Sequence, residues 1–165
     1  MAAACSHDHR HSAGLAGTAL DGQLAAAQAL VERRAQRLTA PRRRVLELLL
    51  EAGQPVKAYE LMAAYGEGAP AKPPTVYRAL EFLEREGLAH RIESLNAFVA
   101  CRHPAEAPDD GPHAAAFLIC DCCGATREIE PRVGGDLADQ AVAAGYAIRA
   151  VTVEAHGLCT DCRSV

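Results

Sequence analysis

The stretch Lys72-Pro-Pro-Thr-Val-Tyr-Arg-Ala-Leu80, continued by Leu88-Ala-His-Arg-Ile92 and Ala97-Phe-Val-Ala100, decides the fold class. Proline lacks an N–H to lose and has a preset φ, so Pro73 and Pro74 suit a first helical turn. Val76, Leu80 and Leu83 then recur at helical spacing up to Gly87. Past Gly87 the pattern shortens to two apolar runs, which reads as a hairpin turning at Ser94-Leu-Asn96.

Working towards the N-terminus, Leu24 to Arg37 is Ala- and Leu-rich, with Leu24, Ala27, Leu30 and Val31 on one face. Thr39 before Pro41 marks a helix entry, and Val45, Leu46, Leu49 and Leu50 fill that helix until Gly53 and Pro55. Ala58 to Tyr65 makes a third helix, stopped by Gly66 and Gly68. Short helices followed by a hairpin form the pattern of a winged helix-turn-helix, against the alternative of a generic small helical domain. Working towards the C-terminus, Cys101 to Pro112 is dense in Pro and Asp and reads as a linker. Beyond it, Ala116 to Cys120 and Gly124 to Ile129 read as pairing strands. Val133 to Ala144 reads as a helix stopped by Gly145, and Tyr146 to Ala155 as a further strand. The expected fold class is therefore α+β. The expected divisions are a His-rich disordered tail at 1–20, a winged-helix domain at 21–100, a hinge at 101–113 and a metal-binding domain at 114–165.

Composition sets the limits. The 165 residues carry 17 Lys+Arg, 21 Asp+Glu and 7 His, a formal charge of -4, with only 4% aromatics and no Trp. That length suits one domain or two small ones, each with a modest core. No apolar run approaches the ~18–20 residues of a membrane span, and Met1 to Gly17 has no apolar signal-peptide core, so a cytoplasmic location is expected. The acidity is uneven. Residues 31–91 hold 11 Lys+Arg against 8 Asp+Glu, a net of +3, whereas residues 100–165 hold 5 against 10, a net of -5. Six arginines fall between Arg33 and Arg44. A nucleic-acid partner is thus compatible with the first half and not with the second.

Seven cysteines in a chain expected to be cytosolic point to metal or redox chemistry rather than disulfides. Cys120-x-x-Cys123 and Cys159-x-x-Cys162 each let two sulfurs converge from a tight turn, and two such turns complete a tetrahedral zinc site. A redox dithiol is the competing reading, and with it a thiol oxidoreductase; a zinc module that binds protein and not DNA is a third. Cys122 is extra, either a spare thiol or a supplement to a metal site. Cys5, His7, His9 and His11 alternate in the tail, where a loose metal tract or disorder is expected.

Arg37-Leu-Thr-Ala-Pro-Arg-Arg-Arg-Val45, Lys72-Pro-Pro-Thr-Val-Tyr-Arg-Ala-Leu80, Phe117-Leu-Ile-Cys-Asp-Cys-Cys-Gly124 and Glu154-Ala-His-Gly-Leu-Cys159 resemble the ferric uptake regulator (Fur) superfamily. The resemblance is closest to its zinc-sensing branch, the zinc uptake regulators (Zur), and covers roughly residues 23–162. It implies a DNA-binding winged helix, a hinge and an α/β dimerisation domain. It also implies a repressor, not an enzyme, with two Zn2+ per subunit, one structural and one regulatory. Carried over by position, the regulatory set falls on His90, Cys101, His113 and Glu128, drawn from the wing, the hinge and the C-terminal domain, so that one ion would clamp them. One thiolate, two imidazoles and one carboxylate suit zinc. Iron-type relatives carry a His-rich stretch before the first CxxC; here it is His113-Ala-Ala-Ala-Phe117, which moves the expectation towards zinc. His103 and His156 stand as alternate ligands, with His156 expected instead to satisfy backbone beside the second knuckle.

In a helix-turn-helix the second helix enters the major groove and its N-terminal residues face the bases. That places Thr75, Tyr77 and Arg78 at the bases or phosphates, with Tyr59 similar in placement to a family DNA contact and Arg42, Arg43 and Arg44 as phosphate anchors. The resemblance implies a zinc-loaded homodimer on palindromic operators of zinc-uptake genes. An iron- or peroxide-sensing regulator on the same scaffold is the alternative.

Overall fold

A computed structural model describes residues 14–66, 70–101, 113–129, 135–148 and 150–163. The described chain divides into two compact units, residues 14–101 and residues 113–163.

The first unit holds four helices and a hairpin: α1 (Gly17–Arg33), α2 (Ala40–Ala52), α3 (Ala58–Ala64), α4 (Pro73–Arg85), β1 (Ala89–Ile92) and β2 (Ala97–Ala100). Helix α1 begins inside the segment 1–20 expected to be disordered, because Leu20 is buried in the same apolar stripe as Leu24, Ala27, Leu30 and Val31. It also ends at Arg33 rather than Arg37, since Ala35 takes a left-handed φ of 54° and the Gln36 N–H folds back to the Val31 carbonyl at 2.8 Å. A glycine ordinarily fills that position, so nothing in the sequence marks this stop. Helix α2 follows the expected grammar: Pro41 lies in its first turn and Gly53 closes it at φ 61°. At the entry to α3, the Glu60 carboxylate accepts from the Lys57 N–H at 2.8 Å. Ahead of α1, Leu15 N–H donates to the Leu50 carbonyl at 2.8 Å. A Cβ on Gly14 would lie 1.5 Å from the Glu51 carbonyl oxygen, so only glycine fits there.

Val45, Leu49, Val76, Leu80 and Leu83 form the centre of one continuous core under these helices. Arg34 ties the end of α1 to the end of α4, donating to the Glu86 carbonyl at 2.7 Å with its guanidinium 3.7 Å from the buried Glu86 carboxylate. The hairpin is antiparallel, with Ala89 opposite Ala100 and His90 opposite Val99. Asn96 turns it at φ 47°, a conformation Asn tolerates better than most residues. Val56, between α2 and α3, exchanges two backbone hydrogen bonds with Phe98, both 2.8 Å, and so joins the wing to the helical body.

The second unit is a three-stranded sheet in the order β4-β3-β5, made of β3 (His113–Cys120), β4 (Thr126–Ile129) and β5 (Ala150–Gly157), with α5 (Gly135–Ala143) and a single turn, α6 (Thr160–Arg163). Strand β4 returns antiparallel to β3, and β5 runs parallel to it after α5. Gly145, at φ 79°, ends α5 as expected. Strand β5 starts at Ala150 rather than Tyr146, and β3 starts earlier than expected, at His113. Ala115, Phe117 and Ile119 are buried on one face of β3. Register puts Ala116, Ile129 and Val153 on the opposite face, where Leu118, Ile129 and Val153 are exposed.

Leu83 is fully buried in the helical core. Truncation by Leu83→Ala should lower the unfolding free energy of the first unit by about 2–5 kcal/mol, read from urea denaturation followed by far-UV circular dichroism.

Candidate metal centre and nucleic-acid interface

The sheet of the second unit delivers its cysteines to one end. Cys120 is the last residue of β3, Cys123 closes the turn after it, Cys159 follows β5, and Cys162 lies on α6. Backbone bonds hold both turns: Gly124 N–H donates to the Cys120 carbonyl at 2.9 Å, and Arg163 N–H to the Cys159 carbonyl at 2.9 Å. The turns are stitched to each other as well, through Asp121 N–H to the Gly157 carbonyl at 2.8 Å and Cys159 N–H to the Cys120 sulfur at 3.3 Å. The four sulfurs lie within 4.8 Å of one another, and Cys123 Sγ is 3.8 Å from Cys159 Sγ.

A zinc ion holding sulfurs near 2.3 Å in a tetrahedron separates them by about 3.8 Å, so the four cysteines fit such an ion. Their electrostatics agree. The Cys123 N–H, aimed at the Cys120 sulfur, is the main cause that brings the Cys120 thiol down to about 6, against burial acting the other way. Burial pushes the Cys123 and Cys162 thiols up, and the neighbouring cysteines add to the rise at Cys162. One thiolate forms readily and others resist without a cation among them, and a divalent metal reverses that resistance. The unexpected neighbour is Asp121. His156 reaches its carboxylate (Nδ1 to Oδ1, 2.9 Å) and not backbone, which corrects the expected role of His156. Cys122 is half-buried in the first turn.

Within the first unit, register brings two candidate ligands together. His90 lies opposite Val99, and Cys101 follows two residues later, its N–H bonded to the Leu88 carbonyl at 3.0 Å. That makes His90 and Cys101 diagonal neighbours on one face of the hairpin. Both side chains are buried, with ligand atoms within 4.8 Å of each other. Glu128, in the second unit, is half-buried on β4 opposite Phe117. His113 opens β3 as a backbone position. His103, the hinge at 102–112 and the Cys5, His7, His9 and His11 tract lie outside the described residues.

The expected nucleic-acid residues take different positions. Tyr77 and Arg78 are exposed on α4, Thr75 is half-buried, and Tyr59 stands 61% exposed on α3. Arg43 is exposed, but its two neighbours are engaged inside the unit. Arg42 donates to the Arg37 carbonyl at 2.6 Å and lies 3.5 Å over the Phe82 ring. Arg44 donates to the Tyr65 carbonyl at 3.1 Å and to the Glu47 carboxylate at 2.7 Å. The run of three is thus one exposed cation and two structural ones, because an amphipathic helix turns successive residues to different faces.

A cleft of about 550 Å3 opens beside α4, with Tyr59, Tyr77, Glu81, Glu84, Lys57 and Arg91 among its walls. Lys57, Glu81 and Arg91 were not among the expected functional residues. The signal for Glu81 was present in the helical period, one turn beyond Tyr77 and Arg78; Lys57 and Arg91 reach the cleft only through tertiary packing.

Fold and site together define a winged-helix protein that also carries a cluster of four cysteines able to hold a metal ion. Residues 33–156 match the ferric uptake regulator family, and the chain belongs to that family. It is 42% identical over 145 residues to the zinc uptake regulation protein of Escherichia coli (strain K12), covering 86% of this chain and 82% of that protein. Among solved structures it is similar to holo XcZur, with a TM-score of 0.75 and 44% identity over 88% of this chain and 99% of that one. It is also similar to a zinc uptake regulator complexed with zinc and DNA, with a TM-score of 0.74 and 39% identity over 90% of this chain and 97% of that one. Among the described residues no helix is long and apolar enough to cross a membrane.

Two outcomes are expected of the cysteine centre. Cys162→Ser should cost one zinc equivalent by metal analysis and loosen the second unit, while Leu83 and its neighbours keep their protection from hydrogen exchange. In metal-free folded protein, Cys120 should be protonated below and a thiolate above a midpoint of about pH 6. That step should appear in the thiolate's ultraviolet absorbance and vanish in Cys120→Ser.

Proposed function

We propose that the protein is a zinc-responsive transcriptional repressor that acts in the cytoplasm as a zinc-loaded homodimer on palindromic operators of zinc-uptake genes. The chief support is the likeness, at 39% identity along nearly the whole chain, to a zinc uptake regulator whose structure holds both zinc and DNA. Each subunit takes two zinc ions. The structural ion belongs to Cys120, Cys123, Cys159 and Cys162, where it supplies the positive charge that lets four crowded thiols ionise. The regulatory ion belongs to His90, Cys101, His113 and Glu128. The pairing of His90 with Cys101 in the wing supports this set, and a thiolate with imidazoles and a carboxylate suits zinc better than manganese.

The division of labour follows residues 21–100 as the DNA-binding domain, 101–113 as the hinge and 114–165 as the dimerisation domain. The exposed apolar side chains Leu118, Ile129 and Val153 on one face of the sheet support pairing of two copies. Thr75, Tyr77 and Arg78 meet the operator from the start of α4, Tyr59 joins them from α3, and Arg43 supplies a phosphate contact. With its paired cysteines committed to a metal, the chain acts by binding and not by turnover. Regulation is a shift of population. The metal-free dimer samples many separations of its two recognition helices, and zinc favours the one that matches half-sites a helical turn apart.

The test is a DNA mobility shift titrated with buffered free Zn(II), Fe(II) and Mn(II). Zinc should tighten operator binding by at least about a hundredfold, within the range of allosteric coupling. Cys101→Ser should abolish the zinc dependence while sedimentation still reports a dimer. A Cys101→Ser dimer with unchanged zinc dependence would show the regulatory set to be wrong.

A further inference from the structure

We propose that Glu81 reads sequence in the operator, accepting a hydrogen bond from the exocyclic N4 amino group of a cytosine in the major groove. The inference rests on the DNA-binding function proposed above. Helix α4 turns Val76, Ala79, Leu80 and Leu83 into the core, which leaves Tyr77, Arg78 and Glu81 on its exposed side. Glu81 is four residues after Tyr77 and three after Arg78, so it continues their row by one turn. It also shares the walls of the open cleft with Tyr59 and Tyr77.

Of the acidic residues near it, Glu86 and Glu93 are occupied elsewhere. Glu86 is buried against Arg34 and Arg85. Glu93 pairs with Arg91 at 3.1 Å. Glu84, one turn further along, is also exposed, but desolvation pushes its carboxyl up while the Arg91 guanidinium pulls the other way. Glu81 is exposed and makes no ion pair or hydrogen bond among the described residues, although Arg85 follows it by four positions.

A carboxylate on a surface that meets DNA is repelled by phosphate, so it is tolerated where a donor faces it. The donors in the major groove are the N4 amino group of cytosine and the N6 amino group of adenine. Adenine sets its N7 acceptor beside that amino group, which repels a carboxylate, whereas cytosine offers its amino group without an adjacent acceptor on the same base. Cytosine is therefore the base Glu81 selects. Arg78, one turn earlier, has the complementary preference for guanine O6 and N7.

The experiment compares zinc-loaded full-length dimers of the unaltered protein, Glu81→Gln and Glu81→Ala in binding to randomised duplexes, followed by affinities for single-base operator variants. The unaltered protein should show one cytosine in each half-site whose replacement weakens binding about tenfold. Glu81→Ala should erase that preference and leave the other positions unchanged. Glu81→Gln, which retains an acceptor of the same shape, should keep part of it, and circular dichroism of both variants should match the parent. Tighter binding of Glu81→Ala to all sequences with an unaltered base preference would reduce Glu81 to a source of repulsion and overturn the proposal, as would unchanged binding. An unaltered dimer that bound no duplex at any zinc concentration would instead remove the DNA-binding function itself.

Discussion

Four thiols within 4.8 Å of one another set the terms for the second unit. Their protons cannot all leave unless a cation takes their place, and two of the thiols are pushed up by burial. The fold accepts this arrangement because its strands carry the cysteines to one end of a three-stranded sheet, and because backbone bonds within and between the turns hold both knuckles. A unit with few bulky residues gains from such a centre, since a metal cross-link replaces part of the burial that a larger core would provide. Phe117 and Ile119 supply much of the apolar packing next to it.

The first unit works by a different economy. Its core is continuous and built mainly from Leu, with Val, Ala and Phe between. The same packing decides which charged groups are free for a partner. Arg42 and Arg44 are drawn inward onto Phe82, Tyr65 and Glu47, while Arg43, Arg78 and Glu81 stay outside. The wing is held to the helices by the pairing of Val56 with Phe98 on β2, and β2 in turn pairs with β1, the strand that carries His90. Local backbone bonds thus place a candidate metal ligand and a candidate DNA-reading helix in one rigid unit.

Much of this was legible in the chain. Proline-led helix starts, glycine stops and alternating runs located α2, α3, α4 and the hairpin within a residue or two. The two CxxC pairs announced their centre, because their chemistry depends on short spacing that sequence displays directly. What escaped was whatever lacked a local mark. Helix α1 stops on Ala35 in a conformation usually given to glycine, and it begins early because Leu20 finds a place in a core formed by distant helices. Tyr146 to Ile148 alternate like a strand, but among the described residues the strand runs from Ala150.

Sequence by itself determined the element types, the uneven charge of the two halves and the identity of the four clustered thiols, since each follows from residues close together in the chain. Tertiary structure alone decided that His156 bonds to Asp121, that two of three adjacent arginines turn inward, and that Glu81 stands beside Tyr77 without a partner among the described residues. The physical reason is the same in each case. Whether a polar side chain meets a partner or solvent depends on groups far away in sequence, and only packing brings those groups within hydrogen-bond reach.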